Sequence, residues 1–460
     1  MISHSVVAEL EEIVGTSHVR RDPASLVEYG TDALKIGRPP DLVVIPGTTA
    51  EISAIARLCH EMRVPLVVRG AGTGYTGGAV PTSGGVVLSV ERLNRILDID
   101  EENLLAVVQP AVINGDLQAE VESRGLFYPP DPQSLKESSL GGNVAECAGG
   151  PRAFKYGVTK RYVLALEVVL PTGEIVRTGS KAVKNVVGYD LTQLLVGSEG
   201  TLAIITEITL RLIPKPPAVA TLRACFTDVP SAARAVTELL RRGVVPVTLE
   251  LMDADSLQAV AEYLHERLAP EGTGALLLLE VDGVPEAVES EALRLEDACR
   301  AAGAIEILRA ASPAERESLW RVRRETSYAL RTIAPLKLNN DVVVPRGRVP
   351  ALIELVGRLR AAHRLRIPCF GHAGDGNIHV NIMVSPDDAD EVARAHKAVR
   401  ELFEGVVALE GSISGEHGIG FSKAPYIGIE LSDDVIALMK RVKAAFDPHG
   451  ILNPGKIFPP

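Results

Sequence analysis

The chain has 460 residues, 46% apolar and 23% charged. That is material for two or three packed domains, and it excludes a disordered, fibrous or disulfide-stapled chain. Lys and Arg total 48 against 59 Asp and Glu, a net charge of −11, and aromatic residues make up only 4% with one Trp. Such a chain lacks both the positive field and the stacking platforms that nucleic acid demands, while a local positive pocket for a small anion stays open.

The five cysteines (Cys59, Cys147, Cys225, Cys299, Cys369) are odd in number and widely spaced, with no C-x-x-C. They read as reduced thiols of a cytoplasmic protein. The opening MISHSVVAELEEIVG is acidic and amphipathic, unlike a signal peptide, and no apolar run approaches the roughly 18 residues of a membrane span. Peripheral association at the inner face of a membrane is compatible with both features.

Residues 1–30 read as a polar helical entry. A βαβ-like opening follows: a strand at Asp41–Pro46, a helix at Ala50–Met62 and a strand at Leu66–Val68. Further strands are expected at Val86–Val90, Leu104–Val108, Leu164–Leu170, Leu202–Ile205 and Glu207–Leu212, rich in Val, Ile and Leu and separated by Gly or Pro. Between them, Pro129–Gly157 is Gly-rich and without periodicity, the mark of a long functional loop or binding wall. Ile213-Pro-Lys-Pro-Pro217 is a stiff break and a domain boundary. Beyond it, helices at 228–242, 254–268, 285–302, 312–332 and 348–364 interleave with strands at Thr248–Leu251, Leu276–Val281 and Asp341–Val344. This is an α+β pattern with helices on one face of a sheet. A last helix, Asp433–Ala445, leads to Asp447-Pro-His-Gly450 and Asn453-Pro-Gly-Lys456.

Two clusters carry chemistry. The first, RGAGTGYTGGA (Arg69–Ala79), follows the strand Leu66–Val68 directly. Successive N–H groups in such a loop suit a pyrophosphate, with Arg69, Thr73 and Thr76 able to assist. The G-x-G-x-x-G spacing is present at Gly72, Gly74 and Gly77, but the chain runs on into Ala-Val-Pro-Thr, so no Rossmann helix follows, and a Walker lysine is absent. The second cluster joins FGHAGDGNIHVN (Phe370–Asn381) to GSISGEHGIG (Gly411–Gly420). His379 and Asn381 would share one face of a strand, and the turn Ala373–Gly376 can bring His372 back beside them. With Glu416 they make a three-ligand metal site or, read one by one, hydrogen-bonded loop and core residues. His417, next in the chain, suits general-base work.

Elsewhere, Arg323 and Ser327 in WRVRRETS are i,i+4 on a helix. They read either as a solvated basic face or as a fork for a carboxylate. Lys337 reads as a surface lysine, and Cys147 as a small packing residue rather than a nucleophile.

Taken together, RGAGTGYTGGA, PPDPQSLKESSLGGNVAECAGG, KYGVT, GSEGTLAIITEITLRL, FGHAGDGNIHVN, GEHGIG and NPGK make the chain resemble the FAD-linked oxidases of the vanillyl-alcohol oxidase (PCMH) type. The branch it resembles holds the glycolate oxidase FAD subunit, D-lactate dehydrogenase and D-2-hydroxyglutarate dehydrogenase. The resemblance implies an α+β architecture: a PCMH-type FAD-binding domain of two α/β subdomains (1–217), a cap with an antiparallel sheet (218–432), and a C-terminal segment (433–460) returning to the FAD domain. It implies FAD contacts at Arg69, Gly70, Ala71, Gly72, Thr73, Gly74, Tyr75, Thr76, Gly77 and Gly78. Others are implied at Pro130, Asp131, Gly141, Gly142, Asn143, Gly149, Gly197, Glu199, Gly200, Ile204, Ile205 and Asn453. Non-covalent FAD is expected, because the 129–157 loop contains no His to which flavin could be attached.

The resemblance further makes His372, His379 and Glu416 ligands of a divalent metal, Zn²⁺ first with Mn²⁺ or Fe²⁺ as alternatives. His417 becomes the base, and Arg323, Ser327, Lys337 and Asn381 become substrate contacts. Two departures stand out. Ser327 replaces a Thr of some members, and Lys337 sits two residues further from its following Asp-x-x-x-Pro than the branch's substrate lysine, where Asn339 falls. The activity implied is oxidation of a D-2-hydroxy acid to the 2-oxo acid. Electrons would pass to a quinone, a cytochrome, an electron-transfer flavoprotein or an iron–sulfur subunit, with the chain acting as a homodimer or as part of an oxidase complex. Rival expectations are a metal-free flavoenzyme of the same fold and a flavin-binding subunit without activity of its own.

Overall fold

The computed structural model describes residues 2–459. Met1 and Pro460, the outermost residues of the expected FAD-binding segments, lie outside them. The chain forms two compact units, one of Met1–Gly149, Val158–Lys215 and Glu416–Pro460, the other of Gly150–Gly157 and Pro216–Gly415. The chain therefore passes between the units four times, once on each side of an eight-residue excursion that no change of composition announces.

Among the described residues the first unit holds three sheets, the smallest pairing Leu126–Phe127 with Ile213–Pro214. A four-stranded sheet orders Val19–Arg20, Leu42–Val44, Val86–Ser89 and Leu66–Arg69, the last three parallel. Its strands are short runs of Val and Leu buried on both faces, the pattern of a parallel sheet. Helix Thr49–Glu61, capped by Thr48, buries Ile52, Ile55, Ala56 and Cys59 against it, in one core with Leu66, Leu88 and Leu452. A five-stranded antiparallel sheet orders Ile96–Asp100, Leu105–Val108, Ile204–Arg211, Val163–Val169 and Ile175–Gly179. The two strands expected at 202–205 and 207–212 are thus one, with a bulge between Ile205 and Glu207. The 129–157 stretch is not structureless. It contains helices Leu140–Glu146 and Ala153–Tyr156, the first started by Ser139, whose Oγ accepts from Gly142 N–H.

The second unit is a seven-stranded antiparallel sheet. Its order is Glu306–Arg309, Ala218–Phe226, Ala275–Gly283, Thr248–Asp253, Cys369–His372, Asn377–Val384 and Leu336–Val343. Helices cover both faces, not one. Met252, Leu276, Leu278 and Phe370 pack against Leu257 and Val260 of helix Ala254–Leu264 and Leu319 and Leu330 of helix Pro313–Leu330. Leu251 and Leu277, on the other face, line a small cavity with Ala233, Val236 and Val349 of helices Val229–Arg241 and Val349–His363. The unbroken run Leu276–Leu279 requires this, since an alternating strand would bury only one face. Within the same unit, Lys155 Nζ and the Tyr156 hydroxyl both donate to Asp282, at 2.5 and 2.8–2.9 Å, fastening the 150–157 excursion to the sheet. Among the described residues, no helix is long and apolar enough to cross a membrane.

Candidate active site

In the first unit, the Arg69–Gly78 loop leaves its strand with positive φ at Gly72 (70°) and Gly77 (79°). A Cβ on Gly77 would lie 2.0 Å from the Phe421 ring. Thr76, Gly77 and Gly78 are buried, whereas Ala71 to Tyr75 reach solvent and Gly74 faces nearly empty space. No helix follows, as expected. The loop is sewn to its neighbours: Ala71 N–H donates to Ser139 Oγ at 3.3 Å, and Phe421 and Ser422 N–H donate to the Thr76 carbonyl at 3.1 and 3.2 Å. Arg69 does not point along the loop's open rim. Its Nη1 donates to the Thr31 carbonyl at 2.5 Å and its guanidinium packs beneath Gly72, so it braces the turn.

The other expected flavin residues gather in the same unit. Gly141 lies against Pro110, where a Cβ would be 2.5 Å from the Pro110 side chain, and Asn143 donates to Asn114 Oδ1. Asp131 is buried, and the Pro130 carbonyl accepts from Asn114 and Gln118. Gly197 and Glu199 N–H groups donate to the carbonyls of Val144 and Ala145, tying the 197–200 turn, with Gly200 at φ 63°, to the helix that carries Gly142. Asn453 Nδ2 donates to the carbonyls of Gly78 and Glu199 at 2.9 and 2.7 Å, closing the ring of segments. Ile204 differs from the rest: its side chain is fully buried in the apolar core, while Ile205 is 9% exposed. An open, amide-rich rim on a buried frame fits the pyrophosphate of FAD.

Glu199 accepts from Ile419 and Gly420 N–H at 2.8 and 2.6 Å. Burial pushes its carboxyl up, while those N–H groups and the Lys423 and Lys456 charges oppose the shift. Glu146, which the sequence did not single out, is pushed well above the carboxylic range by burial and then by neighbouring Glu199. Glu416 and His417 stand in the same unit. Gly149 leaves room for Glu416, since a Cβ there would be 2.5 Å from Oε2. The His417 ring stacks on Tyr75 (centroids 5.5 Å, 24°) and its carbonyl accepts from the Thr76 hydroxyl.

In the second unit, strand pairing places Glu250 opposite His372, Met252 opposite Phe370, Phe370 opposite His379, His379 opposite Asp341, and Asn381 opposite Asn339. Directly paired residues share a face, so one side of the sheet carries both imidazoles with the carboxylates of Glu250 and Asp341 and the amides of Asn339, Asn377 and Asn381. His372 and His379 are each 5% exposed, with ring centroids 5.5 Å apart, edge to face. His372 Nδ1 donates to Glu250. Burial pushes Glu250 up, but the charges and hydrogen bonds of His372 and Arg323 outweigh it and hold the carboxyl down to about 2. An ionised carboxylate only accepts, so Nδ1 carries the proton; whenever the ring is neutral, Nε2 is its lone-pair nitrogen. Asp341 is fully buried, takes Asn377 Nδ2 at 2.6 Å and Gly415 N–H at 3.0 Å, and lies 3.6 Å from His379 Nδ1. Two imidazoles, each with a carboxylate at its back, fit a borderline dication. Asp341 with His379, and Glu416 with His417, offer nitrogen and carboxylate donors of the kind such an ion takes.

Helix Pro313–Leu330 supplies the cation. Ser312 caps it, accepting from Glu315 N–H while Glu315 reaches back to Ala311 N–H, a reciprocal N-terminal box. Arg316, Trp320, Arg323 and Ser327 then repeat at helical spacing on the sheet side. Arg323 is not on a solvated face. It is 3% exposed, donates through Nε to Glu250 at 2.5 Å and lies over the Phe370 ring. Lys337 is not a plain surface lysine either: Nζ donates to Ser327 Oγ at 2.5 Å, and burial, with Arg331 nearby, lowers it to about 8. Lys337, Asn339 and Asp341 alternate on one strand, so the departure at Lys337 keeps it on the same face as Asn339. The Oδ1 atoms of Asn339 and Asn381 are buried without a protein hydrogen-bond partner.

Comparison with known proteins agrees with this geometry. Residues 40–179 match the FAD binding domain family, and residues 215–457 match the family described as FAD linked oxidases, C-terminal domain. The glycolate oxidase subunit GlcD of Bacillus subtilis (strain 168) is 43% identical over 459 residues, covering 100% of this chain and 97% of the relative. The D-lactate dehydrogenase of Anaerostipes hadrus is 40% identical over 428 residues, covering 91% and 89%. Among solved structures, substrate-bound p-cresol methylhydroxylase superposes with a TM-score of 0.82 at 18% identity, covering 98% of this chain and 96% of that one, and shares its fold. The amide-rimmed loop and these matches, spanning the chain from end to end, make it a member of the FAD-linked oxidases, an FAD-dependent oxidoreductase of the PCMH-type fold.

Proposed function

We propose that the chain oxidises a D-2-hydroxy acid, of the glycolate, D-lactate or D-2-hydroxyglutarate type, to the corresponding 2-oxo acid. The observation that carries this reading is the buried Arg323 on the sheet face that holds His372 and His379. A guanidinium beside nitrogen donors for a dication is the chemistry that recognises a carboxylate with a neighbouring hydroxyl. The names of the relatives, glycolate oxidase subunit and D-lactate dehydrogenase, point the same way.

When bound, FAD supplies the two-electron sink and a divalent cation, Zn²⁺ before Mn²⁺ or Fe²⁺, supplies Lewis acidity. His372, His379 and Glu416 hold the cation. Arg323 grips the substrate carboxylate, and the buried, unpartnered Oδ1 of Asn381 is left to accept from the substrate. Ser327 and Lys337 read the far end. His417 accepts the hydroxyl proton. FAD is held without a covalent link by the Arg69–Gly78 loop and the segments around it in the first unit, with the second unit acting as the cap; the boundary expected at 433 thus falls at Glu416, and 150–157 joins the cap. Because the Bacillus relative is named as a subunit, the electrons leave this chain for a separate acceptor.

The test is anaerobic bleaching of the flavin by a panel of D- and L-2-hydroxy acids, with and without EDTA, and with His417→Asn. D-acids should bleach the wild type, EDTA should suppress this, and His417→Asn should stay yellow and unbleached. Bleaching that survives EDTA and complete metal removal overturns the dication. A flavin that no panel acid reduces overturns the activity and leaves a flavin-binding subunit.

A further inference from the structure

Glu250 touches both an imidazole and a guanidinium on this face. It lies between Leu249 and Leu251 in the strand Thr248–Asp253 and is fully buried. One oxygen accepts from His372 Nδ1, across the strand pair, and the other from Arg323 Nε, from the helix above. The guanidinium also lies over the Phe370 ring, whose centroid is 4.7 Å from Cζ. Glu280, in the same sheet and under the same helix, shows the contrasting case. Its carboxylate takes Thr221, Arg316 and Trp320, joins strand to helix, and meets no imidazole.

We infer that Glu250 is a positioning residue that sets two functional groups from one anchor. It fixes the tautomer and ring direction of His372, and it aims the Arg323 fork at the substrate carboxylate. The inference rests on the reading above, in which His372 ligates a dication and Arg323 binds the acid. Its physical basis is acceptor count. A carboxylate can accept from two donors at opposite oxygens, whereas an amide of the same shape accepts at one end and presents N–H at the other. Outer-sphere carboxylates of this kind hold a ligating imidazole in register. Coupling both groups to a single side chain also fixes the span between cation and carboxylate, the two ends of a 2-hydroxy acid.

The experiment uses the full-length, flavin-loaded protein in four forms: wild type, Glu250→Gln, Glu250→Asp and, as a control, Glu280→Gln. Zn²⁺ affinity is measured on metal-stripped protein by competition with a chromophoric chelator. Half-saturation of anaerobic flavin bleaching is measured with the panel acid that reduces the wild type at lowest concentration. Glu250→Gln should weaken Zn²⁺ binding about 10- to 100-fold and raise half-saturation in parallel, with flavin content unchanged. Glu250→Asp, which keeps the charge but withdraws it by one methylene, should move both readouts in the same direction by less. Glu280→Gln should lower the melting temperature and move neither. If the Gln variant does not fold, the Asp variant carries the test. Wild-type Zn²⁺ affinity and half-saturation in every folded Glu250 variant overturn the inference alone. A wild type that binds no Zn²⁺ overturns it together with the reading on which it rests.

Discussion

At Lys337 the cost of burial is legible in the proton equilibrium. The ammonium is taken out of water and faces Arg331, and its pKa falls from the ordinary lysine value to about 8. The sign follows directly: below that pH the side chain is a cation, and as pH rises through about 8 the cation disappears. If Lys337 reads the far end of the substrate, affinity for an acid bearing a second carboxylate should weaken between pH 7 and 9. Lys337→Met should abolish that pH limb while leaving the affinity for D-lactate nearly unchanged. Flavin-bleaching titrations across this range measure both, and an identical pH profile in the Met variant would remove the lysine from the site. The sequence hinted at this residue only through resemblance, because a lysine on an alternating strand looks the same whether its face is wet or covered. Glu250 and Asp341 are the opposite case. An acid flanked by leucines in TLELMD, or followed by the valines of NNDVVV, is a legible signal of a buried partner.

Elements were legible where hydrophobic period and punctuation agreed. Helix Thr49–Glu61 and strand Leu66–Arg69 fall within a residue or two of their expected places. The 20-residue helix Ala389–Ala408 was missed although Asp388 caps it and Ala395, Val399, Leu402 and Val406 form its buried stripe. It lies between two motif-rich segments, where Gly and His outweighed periodicity. The two helices inside 129–157 were hidden for another reason: Gly141 and Gly142 are poor helix formers and are tolerated only because Pro110 and the Ser139 cap hold them. The Gly-rich loop makes its own prediction. Gly77→Ala meets both a positive φ and the Phe421 ring, so the loop must shift. The protein should fold but purify with most of its flavin lost, seen in the 450 nm to 280 nm absorbance ratio. Full flavin content in that variant would show that the turn does not shape the site.

For the molecule as a whole, one segment departs from the usual covering of apolar side chains. Residues 181–190 are all exposed, including Val186, Val187 and Tyr189 at more than 90%. Exposed backbone of this kind is where proteases cut first. Lys181 is partly held by Asp98 at 3.5 Å, so trypsin should nick first after Lys184. Mass spectrometry of early digests would show it, and a first cut elsewhere would count against this exposure. Composition and break residues pointed to the crossing near Pro216 but could not reveal the excursion at 150–157. That excursion depends on Lys155 and Tyr156 finding Asp282, more than 120 residues away.

The pairing of Leu66 with Leu452, and the grip of Asn453 on Gly78 and Glu199, have a consequence for biosynthesis. A nascent chain leaving the ribosome completes its second unit some forty residues before the last pieces of its first. Until Leu452 and Asn453 emerge, the amino-terminal sheet waits with an unfilled edge. Flavin capture then waits until Leu452 and Asn453 have docked, and a chaperone holding that edge until they do would raise the yield of yellow protein.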